Sequence, residues 1–372
     1  MTDQPRFRLA TFNVENLMSR FDFEGVREAH RLDRATALYD ISDKARLKAI
    51  EQARMIALTD DTRQLTALAI ADCEPDVLCL QEVEDEDALA AFERGYLYRM
   101  NGSGFRQRHV LAGNDGRGIN VALAARQMSA SGHDMEVVKV TSHRELTYAD
   151  LDLMDEDLQA RGEDPSRRVF RRDCLEVDLR IGSRPMTVYV CHFKSMGPNR
   201  DGMDGRTYSM PVRRAEARAV RKIIERRFEN KTAQMNWAIC GDFNAYREKI
   251  QVAGSRRKGY EFTLTEEKTS GIDPLFEGGF ATDLLTRLTP MERWTLFHSR
   301  GQREQHLCQL DYILVSPRLA SLNQHVKPEI VRGGQPHRTP FPKGFEVERY
   351  PRTGWDRPKA SDHCPVVVEI SL

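Results

Sequence analysis

Three apolar runs in this 372-residue chain end in side chains able to do chemistry. Asn236-Trp237-Ala238-Ile239-Cys240-Gly241-Asp242-Phe243-Asn244-Ala245 reads as a short strand that stops abruptly in a glycine, an acid and an amide. Val77-Leu78-Cys79-Leu80-Gln81-Glu82 delivers a carboxylate in the same way, and Ser361-Asp362-His363 precedes the Val366-Val367-Val368 run. In extended backbone, Asp242 and Asn244 point the same way, one able to accept a proton and the other to donate hydrogen bonds. That pair suits the orientation of a water against an electrophile. An Asx turn would account for Gly-Asp-x-Asn equally well.

A hard cation such as Mg²⁺ takes oxygen ligands and keeps several waters, so one or two carboxylates suffice to hold it. Glu82 with Asn13 and Glu15 could make such a site; a solvated carboxylate at a strand end is the bland alternative. Asp311 opens a further apolar run, so it and the Asp362-His363 pair could bring a carboxylate and an imidazole together from distant segments. His192, at the end of another strand, is a second imidazole, although a lone histidine is more often structural. No Walker A sequence, G-x-S-x-G elbow or H-E-x-x-H is present, which removes P-loop, α/β-hydrolase and zincin chemistry.

These strand ends must be positioned by alternating strands and helices, the mark of an α/β fold. Residues 7–13 read as a first strand followed by a turn, and residues 20–60 as a helical insertion. Leu65, Leu68, Ala69 and Cys73 fall on one helical face, which Pro75 ends. An acidic patch at 82–87, a helix to about Arg94, Gly-rich turns near 102–104 and 113–118 and a strand at 119–124 follow. The charged segment 143–172 reads as a surface excursion. Residues 174–181 and 186–193 form a hairpin around Gly182-Ser183, then comes a turn-rich loop at 197–205. The helix over 211–228 puts Ala215, Ala219, Ile223 and Ile224 inward and Arg213, Arg214, Arg218, Arg221 and Arg226 largely outward, as a solvated arginine face. A basic turn at 254–258, a strand at 310–315 and an irregular, proline-containing loop at 335–359 complete the chain.

Lys plus Arg (56) balance Asp plus Glu (56), so no global field draws the chain to nucleic acid or an anionic membrane, and a polyanion must be gripped locally. The seven cysteines form no C-x-x-C pair and read as buried free thiols. With no secretory signal at the N-terminus, the expected compartment is the reducing cytoplasm. No uncharged run is long enough to span a membrane.

Taken in order, Thr11-Phe12-Asn13-Val14-Glu15-Asn16-Leu17, residues 76–83, Cys191-His192-Phe193-Lys194-Ser195, Gly241-Asp242-Phe243-Asn244, Leu310-Asp311-Tyr312-Ile313-Leu314 and Ser361-Asp362-His363-x-Pro365-Val366 resemble the endonuclease/exonuclease/phosphatase superfamily. The resemblance spans nearly the whole chain. It implies a four-layered α/β sandwich, two mixed β-sheets packed face to face and flanked by helices. It further implies one domain over 1–372, with insertions near 20–60, 143–172, 246–300 and 335–359. Carried over residue by residue, it implies that Glu82 binds Mg²⁺, or Mn²⁺ in its place, with help from Asn13 and Glu15 and with Asp362 nearby. Asp242 would orient or deprotonate the attacking water, Asn244 would hold phosphate or water, Asp311 would pair with His363 at the scissile phosphate, and His192 would stabilise phosphate charge. Lys194 stays outside this set, since a strand-end lysine usually faces water.

The expected activity is metal-dependent phosphodiester hydrolysis, with nucleic acid as the leading substrate because of His192 in His-Phe-Lys-Ser and the basic elements at 213–227 and 254–258. A phosphomonoesterase or phosphodiesterase acting on a small or lipid-linked phosphoester is the alternative, as the same core serves both. Leu310-Asp311-Tyr312 lacks the Trp-Cys-Asp-Arg element expected of the inositol-polyphosphate branch. A non-catalytic scaffold, the third reading, would not need every polar residue of the site. Oligomeric state is left open.

Overall fold

The computed structural model describes residues 4–18, 44–102, 104–200, 202–300 and 304–372. Much of the 20–60 insertion therefore lies outside the described residues, but its end is helical, within α1 (Lys44–Cys73). One sheet contains β1 (Arg6–Leu17), β2 (Val77–Val83), β3 (Gln107–Val110), β4 (Asn120–Ala125), β15 (Glu329–Ile330) and β16 (Val366–Ser371), in the order β15-β16-β1-β2-β4-β3. A second contains β5 (Met135–Ser142), β6 (Cys174–Ile181), β7 (Arg184–His192), β8 (Trp237–Asp242), β11 (Thr282–Asp283) and β14 (Asp311–Val315), in the order β11-β14-β8-β7-β6-β5. Both are mixed: β1 runs parallel to β2 and β7 parallel to β8, while β16 and β14 pair antiparallel beside them.

Alternation along each strand builds the layers. Leu9 of β1 and Cys79 of β2 share the inter-sheet core with Val188 and Val190 of β7 and with Ala238 and Cys240 of β8. Their neighbours face outward: Ala10, Phe12, Leu78 and Leu80 pack with Leu65, Ala69 and Ile70 of α1. On the far side, Trp237 and Ile239 pack with Ala215, Ala219, Ile223 and Ile224 of the long helix Gly205–Phe228. Helix, sheet, sheet, helix is the four-layer order read from the sequence. A third sheet adds to it, built by β9 (Glu248–Ser255), β10 (Gly259–Glu266), β12 (Leu296–Arg300) and β13 (Glu304–Cys308) in the order β10-β9-β13-β12. Most of it comes from the 246–300 insertion, where only a basic turn was legible.

Three local expectations are corrected. β1 does not end at Asn13: the chain bulges, with Glu15 and Asn16 at φ 50 and 63, and rejoins β2 at Leu17. The segment 143–172 is more than a surface excursion, because Tyr148, Leu151, Leu153, Leu158, Val169 and Phe170 are buried against the Gly205–Phe228 helix and its sheet. The arginines of that helix are not a solvated face. Arg213 is buried, donating to Arg206 O (2.6 Å) and Lys194 O (3.2 Å). Arg214 and Arg218 pair with Asp157 (3.3 Å) and Asp155 (2.9 Å), and Arg226 donates to Asp150 O (3.0 Å), so they clamp the excursion down. All seven cysteines are free and buried, as expected. Among the described residues, no helix is long and apolar enough to cross a membrane.

Candidate active site

Register in the second sheet assembles the site's floor. His192 on β7 and Asp311 on β14 both pair with Asp242 on β8, so three polar side chains from three adjacent strands occupy one rung. Gly241 is needed immediately before Asp242: its φ of 144 and the Cys191 carbonyl, 1.9 Å from where a Cβ would stand, leave room for no side chain. Asn13, at the end of the regular part of β1, reaches across from the first sheet and donates from Nδ2 to Asp242 Oδ2 at 3.1 Å.

Asp242 is buried and accepts three hydrogen bonds. Its Oδ1 takes the Asn244 backbone N–H at 2.8 Å, and its Oδ2 takes the Asn244 side chain at 3.1 Å as well as Asn13. The Nε2 atoms of His192 and His363 stand 3.5 and 3.7 Å from the same oxygen. Gly-Asp-x-Asn thus forms an Asx turn whose two side chains both line the cleft. Burial pushes the Asp242 carboxyl up to about 7, with His363 opposing the rise. Burial, reinforced by Arg172, holds His192 well below the usual histidine range, so this imidazole is neutral. His363 goes the other way: burial opposes its charge, but Asp311, hydrogen-bonded to Nδ1 at 2.8 Å, and Asp242 raise it well above that range.

The opposite wall carries Glu82, whose Oε2 accepts the Asn16 N–H at 3.1 Å. Burial and the neighbouring Asp362 carboxylate raise the Glu82 carboxyl. Glu15 is also on the wall, but its oxygens are occupied: it pairs with Arg357 and with Lys359 Nζ at 3.1 Å, and accepts the Asp362 N–H at 3.0 Å. Glu15, Asn16, Glu82 and Asn244 are non-glycine residues at positive φ, and all four line the cleft. Strained backbone concentrated in one place is characteristic of functional sites.

The cleft has a volume of about 760 Å³ and includes all the sequence-derived site residues except Asp311, which lies beneath His363. Sequence reading missed Arg117 and Arg172, the former in a Gly-rich turn and the latter in the charged excursion. Arg117 interacts electrostatically with Glu82 and is held by Asp115 (2.9 Å), which also pairs with Arg172 (2.9 Å). It also missed a second end of the cleft, walled by Met196, Tyr246, Leu296, Cys308 and Leu310 with His298 and His306. Lys194, expected to face water, is half-buried and turns its ammonium to the Ser195 carbonyl (3.2 Å).

The endonuclease/exonuclease/phosphatase family model matches residues 10–363. The chain belongs to that family. As a member it is a hydrolase acting on phosphoester bonds, in a family that generally depends on divalent metal ions. No curated protein sequence matches it. Among solved structures, D. rerio TDP2 complexed with single strand DNA product superposes with a TM-score of 0.50 at 11% identity, covering 99% of each chain. Truncated Caenorhabditis elegans TDP2 gives 0.49 at 13% identity, covering 99% of this chain and 98% of that one. The human Nocturnin catalytic domain with bound sulfate anion gives 0.49 at 14%, covering 99% and 95%. At 11% identity the likeness to the D. rerio structure concerns the fold alone.

The donor set of the family member fits a hard cation. Burial, and then the Asp362 carboxylate, raises the Glu82 carboxyl, and a divalent ion held by the two carboxylates would offset both effects. The ligand atoms of Asp242, Asp311 and His363 also lie within 4.8 Å of one another. Within that group His363 Nδ1 stands 2.8 Å from Asp311 Oδ2.

Proposed function

We propose that this family member is a divalent-metal-dependent phosphodiesterase that hydrolyses by in-line attack of a water held by Asp242 and Asn244. The observation that supports the reading is the rung His192–Asp242–Asp311 with His363 beside it, which gathers two imidazoles within 3.7 Å of one carboxylate oxygen, Asp242 Oδ2. Asp242, with a carboxyl raised to about 7 by burial, is matched to taking a proton from water near neutrality. Asn244 fixes that carboxylate and, with it, the direction of the water. Protonated His363, oriented by Asp311, faces the phosphate and favours departure of the leaving oxygen, while neutral His192 donates to a phosphoryl oxygen. Glu82, Asp362 and Asn13 would hold Mg²⁺ or Mn²⁺, which supplies charge neutralisation at the phosphoryl oxygens. Glu15, paired to Arg357 and Lys359, positions Asp362. Because residues from 13 to 363 in both sheets line one cleft, we treat 1–372 as one domain.

Nucleic acid is the leading substrate in this reading, and seven buried thiols suit a reducing compartment such as the cytoplasm. One observation favours the small-phosphoester alternative: seven acidic residues against four Lys and Arg line the cleft, and those four cations are themselves ion-paired, Arg117 and Arg172 with Asp115, Arg206 and Lys249 with Glu267. The cleft therefore does not hold a long polyanion by charge.

A hydrolysis panel decides between them: single- and double-stranded DNA, RNA, bis-p-nitrophenyl phosphate and p-nitrophenyl phosphate, each with Mg²⁺, Mn²⁺ or EDTA. Metal-dependent cleavage of polynucleotide is expected, and Asp242→Ala should lower kcat by about 10²–10⁴. Release of phosphate from monoesters with intact polynucleotide would move the assignment to small phosphoesters. Full activity of Asp242→Ala would remove Asp242 from the mechanism.

A further inference from the structure

With the cations inside the cleft ion-paired, a nucleic-acid strand would need to be gripped outside it. Of the three tryptophans, Trp237 (0%) and Trp294 (2%) are in the core, whereas Trp355 is 54% exposed. Its backbone is not loose: Trp355 O accepts the Arg338 N–H at 2.9 Å, and the Gly354 N–H reaches Pro358 O at 2.8 Å. The turn is tight enough that a Cβ on Gly354 would sit 2.0 Å from Arg357 O. Two residues further on, Arg357 pairs with Glu15 on the cleft wall, followed by Lys359 at 3.1 Å from the same carboxylate. Two residues of chain span at most about 7 Å between Cα atoms, so Trp355 shares a turn with the arginine that reaches the cleft wall.

The second component comes from a different element. The tip of the β9–β10 hairpin presents Arg256, Arg257 and Lys258, all exposed, and Arg256 lies over the Trp355 ring with Cζ 5.5 Å from its centroid. None of the three takes part in an ion pair among the described residues, in contrast to the four cations inside the cleft. A rigid aromatic face beside adjacent unneutralised cations is the arrangement that holds single-stranded nucleic acid, a base stacking on the ring while the cations follow the phosphates.

We propose that Trp355 and the Arg256-Arg257-Lys258 tip form an accessory site for single-stranded nucleic acid at the rim of the cleft. It stacks the base of a nucleotide flanking the one whose phosphodiester enters. This rests on the nucleic-acid reading of the catalytic site. Duplex is disfavoured because its internal bases expose no face to the indole.

As the one exposed tryptophan, Trp355 reports its own occupancy. Full-length Asp242→Asn protein, in Mg²⁺ so that the strand is bound and not cut, is titrated with oligo(dT) while tryptophan emission is followed. Saturable quenching is expected, absent in Trp355→Ala. By fluorescence anisotropy of labelled oligo(dT), Trp355→Ala should bind about 5- to 150-fold more weakly and Trp355→Phe close to the parent. Replacing Arg256, Arg257 and Lys258 together by alanine should reduce the slope of log K against log salt by about 2. Unquenched emission, equal quenching by blunt duplex, or unchanged affinity in Trp355→Ala would overturn the accessory site. Hydrolysis of bis-p-nitrophenyl phosphate by the wild type identifies which idea has failed: activity there with no oligonucleotide effect sinks the accessory site alone, while no hydrolysis of any diester sinks the catalytic reading.

Discussion

At the scale of single residues, the site separates groups of the same kind by environment. His192 and His363 both stand within 4 Å of Asp242 Oδ2, at 3.5 and 3.7 Å, yet burial and Arg172 keep one neutral while Asp311 keeps the other charged. The sign of the resulting pH dependence follows. A raised His363 pKa means that activity requiring the imidazolium persists into alkaline solution and is lost as pH rises through that raised value. Asp311→Asn removes the nearest negative charge, so the alkaline limb of the kcat profile should move to lower pH. A limb that stays in place would assign it to another group. The carboxylates differ as well: Glu82 has no ion-paired Lys or Arg among the described residues, whereas Glu15 has two such partners. Glu82→Gln should therefore raise the Mg²⁺ concentration giving half-maximal rate by more than Glu15→Gln does, the latter acting through Asp362 by about 10- to 100-fold. Metal titrations of the two variants test the order, and the reverse order would make Glu15 the ligand.

At the scale of elements, the segments that depart from the minimal sandwich do structural work that their composition conceals. The charged stretch 143–172 inserts Tyr148 and Phe170 beneath the long helix and ends in Arg171 and Arg172. The buried carboxylate of Glu216 receives the backbone N–H groups of Arg171 (3.0 Å) and Lys194 (2.6 Å), tying the excursion to the strand end that bears His192. Phe170→Ala should cost about 3–5 kcal/mol, the usual range for emptying a buried phenyl site, as read by urea denaturation. A loss below about 1 kcal/mol would show that the segment is peripheral. The third sheet closes one side of the cleft with His298 and His306, whose rings lie 4.8 Å apart.

At the scale of the molecule, two face-packed sheets bring strand ends far apart in sequence to one edge, and the catalytic register comes from hydrogen-bond ladders. Local patterning was enough to read the β7, β8, β14 and β16 strands, the α1 and Gly205–Phe228 helices and the α/β class, because apolar periodicity and abrupt polar endings are properties of short windows. The order of the motifs was enough for the family and its sandwich. The partners of each charge were not legible. That Glu15 would be occupied by Arg357 and Lys359, Arg213 buried, and Arg172 paired with Asp115 depends on contacts between distant segments, and a charged side chain carries no sequence mark of whether it will meet water or a counter-ion. The same holds for Trp355, which reads as one more aromatic in an irregular loop. The sequence by itself determined which side chains arrive at strand ends. Only the tertiary structure decided which of them are neutralised, because burial and pairing are set by what packs against them.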